Sequence, residues 1–183
     1  MYADTLKLIV TGDRRRPSPR LPERLDGLFR SLGDASGTGR AERIEDEIWR
    51  LWMAYRDSAA AFDLERATRA LTALDFPAAE GILARLVAAH PDFAEAWNKR
   101  ATLYFLMGEN EKSLHDCDEV MKRNPAHFGA LAGYGQIYLR LDQPERALTY
   151  FRRALRINPN MRGIEQVIPE IEQLLTERRK GTI

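Results

Sequence analysis

The chain has 183 residues, of which 44% are hydrophobic and 30% charged, the profile of a folded domain rather than a disordered chain. That length suits one core or a short stack of units, not two large independent domains. With 28 Lys plus Arg against 27 Asp plus Glu, the overall field is weak and a nucleic-acid partner is disfavoured, since phosphate binding needs concentrated positive charge.

A single cysteine, Cys117, excludes an intramolecular disulfide and offers no cluster for structural zinc. This fits a reducing compartment, and the expected location is cytoplasmic; a periplasmic protein can also lack disulfides. The arginines Arg14, Arg15 and Arg16 follow the brief apolar stretch Leu6 to Val10, opposite to the order of a secretory signal. No run of apolar residues is long enough for a transmembrane span.

Residues 1–22 read as a loosely ordered arm, because "GDRRRPSPRLP" crowds prolines and arginines together. Residues 23–59 are expected to carry two flanking helices. The first covers about 23–32, with Leu25, Leu28, Phe29 and Leu32 at three-to-four spacing, and "GDASGTG" breaks it. The second covers about 41–56, with Ile44, Ile48, Leu51, Trp52 and Tyr55 on one side and Trp49 beside that stripe. These aromatics are expected to cover the first repeat or pack in the core. Trp49 and Trp52 form an association surface if instead they are exposed, and a homo-oligomer would follow.

From residue 60 the pattern repeats at a fixed 34-residue step, so that 60–93, 94–127 and 128–161 align without insertion. Ala67, Ala101 and Gly135 coincide, as do Ala79, Ser113 and Ala147; Leu83, Cys117 and Phe151; and Pro91, Pro125 and Pro159. Small residues at the first two sets allow two helices to approach closely, and each proline follows a second helix and ends it. Each block is expected to hold two helices, over 62–74 and 77–89, 94–107 and 109–123, and 128–141 and 144–157. The turns carry Gly108 and Asp142. A last helix over 162–180 caps the array within 162–183, with Pro169 expected to bend it or delay its start.

The second block, with Trp97, Ala101, Tyr104, Gly108, Ser113, Cys117, Val120 and Pro125, resembles a tetratricopeptide repeat. The third resembles it at Leu131, Gly135, Tyr138, Ala147, Phe151, Ala154 and Pro159; the first is weaker, with Asp63 in the place of Trp97 and Leu74 in that of Gly108. The resemblance implies an all-α fold, a right-handed superhelical stack of antiparallel helix pairs whose first helices line a concave groove. It also implies a protein-interaction module or scaffold, with no catalysis and no cofactor, that binds a partner peptide or helix.

Carried over by position, the groove comprises Leu64, Thr68 and Leu71; Glu95, Asn98, Thr102 and Phe105; and Gly129, Ala132, Gln136 and Leu139, with Lys99 and Arg140 at its edges. Asn98 and Gln136 are the expected contacts to a bound backbone, since an amide offers donor and acceptor. Chaperone-associated members of the family hold a C-terminal carboxylate with basic and amide side chains. Leu64, Thr68, Gly129 and Gly133 stand where such a clamp needs polar groups, leaving only Lys99 nearby.

The one segment suggestive of chemistry is "HDCDE", His115 to Glu119. His115 and Glu119 are four apart and could share a helix face as a weak metal site or an enzyme centre, with Asp118 joining them. The repeat register instead makes Cys117 a packing residue and His115 part of a solvated face. The basic runs Arg14 to Arg16 and Arg178 to Lys180 sit at chain ends, and the second suits a helix C-terminus.

Overall fold

The computed structural model describes residues 21–35 and 38–181; the proposed arm lies almost wholly outside them. Among the described residues there are nine helices and no strand. They are α1 (Leu21–Gly33), α2 (Thr38–Met53), α3 (Ser58–Thr72), α4 (Phe76–Ala89), α5 (Ala94–Met107), α6 (Asn110–Arg123), α7 (Phe128–Arg140), α8 (Pro144–Ile157) and α9 (Arg162–Lys180). α3 with α4, α5 with α6 and α7 with α8 pack as pairs, neighbouring pairs stack, and α9 closes on α8.

The coincident small residues do what close approach requires. Ala67, Ala79, Ala101, Ser113, Gly135 and Ala147 are all buried. Ser113 Oγ donates to the carbonyl of Ala101 at 2.7 Å, tying α6 to α5. At Gly135 a Cβ would lie 2.3 Å from the Phe151 ring, so glycine is required for this aromatic to fill the gap between α7 and α8.

The turn within each pair has one geometry. Leu74, Gly108 and Asp142 stand at the same register position, and all three are left-handed, with φ of 58°, 81° and 56°. The weak family match at Leu74 therefore does not change the turn; it places a leucine, 61% exposed, where glycine is unstrained. The following amide closes each turn on the first helix, Asp75 to Ala70, Glu109 to Tyr104 and Gln143 to Tyr138.

α3 starts at Ser58 because Asp57 accepts from the amides of Ala59 and Ala60. α9 runs without interruption through Pro169, whose exposed ring faces solvent. Its buried stripe is Ile164, Ile171 and Leu175.

The flanking helices depart from a simple cap on the first repeat. Leu32, Ile48, Trp49 and Trp52 of α1 and α2 share a core with Phe128 and Leu131 of α7, Phe151 of α8 and Ile164 of α9. Asn158 Nδ2 donates to Glu45 at 2.9 Å, and Asn160 Nδ2 donates to the carbonyl of Leu32 at 3.0 Å. Only the end of α2 and the residues just past it join the first repeat: Met53 packs against its core, and Tyr55 stacks on Phe93 at 4.2 Å and donates to Asp92 at 2.6 Å. α2 thus lies across the face formed by α5 and α7 and ties the beginning of the described chain to its end.

Candidate functional site

The residues assigned to the groove fall into three environments. In the first repeat, Leu64 and Leu71 are wholly buried in the core, and buried Thr68 turns its hydroxyl onto the carbonyl of Leu64 at 2.8 Å. None of the three lines an open surface.

At the start of α5 and α7, α2 seals the surface. Trp52 stacks on His127 with ring centroids 4.1 Å apart, and Trp49 meets His127 and Phe128 edge-on. The Trp49 ring occupies space that a side chain at 129 would need: a Cβ on Gly129 would lie 2.5 Å from it. Trp49 and Trp52, at 5% and 9% exposure, are core residues in this fold and leave little ring surface for another copy of the chain.

Under these rings is a buried polar cluster. Glu95 accepts from Lys99 Nζ at 3.0 Å, from Asn98 Nδ2 at 3.0 Å and from His127 Nε2 at 2.9 Å. His127 Nδ1 accepts from the amide of Ala130 at 3.0 Å, so the ring proton sits on Nε2 and points at the carboxylate. Burial alone would raise the Glu95 pKa, but the Lys99 charge and the His127 and Asn98 hydrogen bonds outweigh it and hold the pKa at about 2. Lys99 also lies 5.4 Å from the centroid of the Trp49 ring, so its ammonium is fully engaged within the protein.

Further along the same helices the surface opens. A cavity of about 900 Å³ is lined by Asn98, Lys99, Thr102 and Phe105 of α5 and by Ala132, Gly133, Gln136 and Ile137 of α7. Its walls are Glu42, Glu45 and Trp49 of α2 on one side and Ile164, Glu165, Val167 and Glu170 of α9 on the other. Thr102 donates to the carbonyl of Asn98 at 3.0 Å, repeating the Thr68 bond one repeat later. Gln136 makes no side-chain hydrogen bond to another described residue, which leaves its amide free toward the cavity. Leu139 packs half-buried against the C-terminal core, and Arg140 stays outside, over the Phe105 ring at 3.5 Å and bonded to the Phe105 carbonyl.

Asn98, Lys99, Thr102, Phe105, Ala132 and Gln136 are therefore brought to one cavity, while Leu64, Thr68, Leu71, Glu95, Leu139 and Arg140 are not among its lining residues. The α2 and α9 walls escaped the sequence reading. The available signal was Gly129, a glycine on the groove side of α7, which marks where Trp49 of α2 comes close.

The His115 to Glu119 segment is not assembled as a site. His115 is exposed and its Nδ1 lies 3.1 Å from Asp116, which is committed to Arg100 at 2.7 Å and 2.9 Å. Asp118 accepts from the Tyr134 hydroxyl, and Glu119 pairs with Lys122 and with Arg123 at 2.6 Å. Burial drives the Cys117 thiol pKa far up, which keeps it protonated and inert. Among the described residues no three His, Cys, Asp or Glu side chains converge as metal ligands, and no helix is long and apolar enough to cross a membrane.

Stacked helix pairs with an open face on the first helices define a helical-repeat interaction scaffold. The chain belongs to the tetratricopeptide repeat family: tetratricopeptide models match residues 64–120 and 128–161. It is similar to a TPR repeat-containing protein of Rhizobium etli, 32% identical over 170 residues that cover 93% of this chain and 83% of that protein. It also resembles anaphase-promoting complex subunit 7 of Dictyostelium discoideum, 35% identical over 45% of this chain but only 14% of that subunit.

Among solved structures, the first TPR of Spaghetti bound to an HSP90 peptide superposes with a TM-score of 0.61 at 20% identity, over 64% of this chain and 95% of that one. MamA superposes with a TM-score of 0.55 at 16% identity, over 89% and 91%. At these identities the two establish the shared fold. Tetratricopeptide domains are non-catalytic scaffolds for protein contacts.

Proposed function

We propose that this protein holds a peptide or helical segment of a partner protein in the cavity between α2, α5, α7 and α9. The observation that carries the reading is the cavity itself, about 900 Å³ on the face of the first helices, with the unbonded Gln136 amide among apolar neighbours Phe105, Ala132 and Ile137. Such a surface buries apolar side chains while an amide orients the bound backbone. The first TPR of Spaghetti, which shares the fold, is seen bound to an HSP90 peptide, and this supports a peptide as the kind of ligand. The mode of grip differs from a carboxylate clamp, because the cation on the α5 and α7 floor, Lys99, is 3.0 Å from Glu95 and covered by Trp49.

Capture from an extract of the native cells tests the reading. Bait carrying Gln136→Trp, which fills the cavity, is expected to lose at least one protein that the unaltered bait retains. Bait carrying Glu145→Gln on the outer helix α8 is expected to keep it. Identical recovery by all three baits would place the binding surface elsewhere on the molecule.

A further inference from the structure

We propose that this cavity selects a basic partner segment: an arginine or lysine side chain enters it and pairs with the carboxylates of its α2 and α9 walls. The inference rests on the cavity being the docking surface and adds the chemistry of what docks there.

The floor and walls differ in character. The α5 and α7 side presents Phe105, Ala132 and the amides, while Glu42 and Glu45 project from α2 and Glu165 and Glu170 from α9. None of these four carboxylates has an ion-pair partner among the described residues. The cations that line the cavity are Lys99, neutralised by Glu95 at 3.0 Å, and Arg162. A chain whose net charge is only +1 therefore gathers a local excess of negative charge around one opening.

Glu45 is the central group. It is half-buried, and its two oxygens accept from Trp49 Nε1 at 3.3 Å and Asn158 Nδ2 at 2.9 Å, both neutral donors. Burial pushes its pKa up, against those two hydrogen bonds. A partly desolvated carboxylate without a cation is an unfavourable state that an arriving cation relieves, and the low-dielectric wall strengthens the attraction.

The cavity's volume, about 900 Å³, and its mixed lining fit a long-stemmed organic cation. Its methylenes lie along Phe105 and Ala132 while its head reaches the acidic wall. A bare metal ion fits less well, since no three ligand-type side chains converge among the described residues.

The test uses the full chain and a labelled, end-capped Leu-Arg-Leu-Leu-Arg-Ala peptide, followed by fluorescence anisotropy. Its counterpart carries citrulline, which keeps arginine's shape and removes its charge. The arginine peptide is expected to bind about tenfold tighter at low salt, with the advantage shrinking as salt is added. Glu165→Gln with Glu170→Gln should remove most of that advantage, while Glu111→Gln with Glu145→Gln, away from the cavity, should leave it.

Equal affinity for the two peptides would overturn the proposal. If both peptides then lose binding to Gln136→Trp, the docking surface stands and only its charge preference fails; binding indifferent to Gln136→Trp sinks the docking surface too. Arg14→Gln, Arg15→Gln and Arg16→Gln together should leave the arginine peptide's affinity unchanged. A severalfold gain would mean that the chain's own arginines hold the cavity, and would overturn its assignment to a partner.

Discussion

Two neighbouring stretches of the face formed by the first helices have opposite fates. Glu95 and His127 lie under Trp49 and Trp52 and are satisfied there with Lys99, which stands at the boundary, whereas Thr102, Phe105 and Gln136 line an open cavity. The family pattern assigns Glu95 to the groove together with Thr102, Phe105 and Gln136. What separates them is α2, which enters from outside the repeats and seals one stretch while walling the other. A groove position in a stacked-repeat protein is thus a place, and whether it can meet a partner depends on what the flanking helices do.

The largest effect should come from breaking the sealed cluster. Lys99→Met leaves Glu95 buried without its cation and is expected to cost about 3 to 5 kcal/mol in urea unfolding, with Glu95→Gln restoring part of the loss in the double variant. The same cluster sets an acid limit. Glu95 has its folded pKa depressed from 4.5 to about 2, so the stability it contributes is present above pH 4.5 and lost as the pH falls toward 2. The unfolding midpoint of the unaltered chain should decline over that window, and the Glu95→Gln chain should decline less.

A smaller effect tests packing within the third repeat. Gly135→Ala forces a methyl group into the Phe151 ring and should destabilise by about 1 to 3 kcal/mol. Phe151→Leu in the same chain removes the obstructing ring, so the added cost of Gly135→Ala should shrink in that background. Equal cost in both backgrounds would show that the contact does not set the requirement for glycine.

The smallest effect has the opposite sign. Leu74→Gly releases a leucine from φ 58° at an exposed turn and should raise stability by up to about 1 kcal/mol. Gly108→Ala at the equivalent turn should lower it by a similar amount. The pair compares two repeats at a single position and reads directly in thermal midpoints.

Much of the repeat array was legible in the residues, because packing between adjacent helices leaves a mark at fixed spacing. Ala101 and Gly135, Ser113 and Ala147, and the three prolines each answer a local steric demand. The turn at Leu74 was not legible, since nothing in leucine announces a left-handed backbone that the surrounding pair imposes. Nor does Pro169 stop α9: Ile164, Ile171 and Leu175 bury on either side of it and hold the helix together.

The site was legible only in part, for a reason of the same kind. Amphipathic spacing shows that Ile48 and Trp52 are buried, but not against which surface, because a helix joined through "GDASGTG" and a short second linker can dock in more than one place. The family pattern assigns Leu64, Thr68 and Leu71 to a groove by position, and here the first-repeat core absorbs them. The acidic walls, Glu42 and Glu45 with Glu165 and Glu170, come from outside the repeats, where the register carries no information.

The placement of α2 is the claim on which the site depends, and the fluorescence of Trp49 tests it most directly. In a chain with Trp52→Phe and Trp97→Phe, Trp49 is the sole tryptophan. Its emission should be blue-shifted and shielded from iodide, with the shielding lost when Gly129→Leu is added and the ring is driven from its place beside α7. Emission already exposed to iodide before that change, or shielding unaffected by it, would contradict the placement.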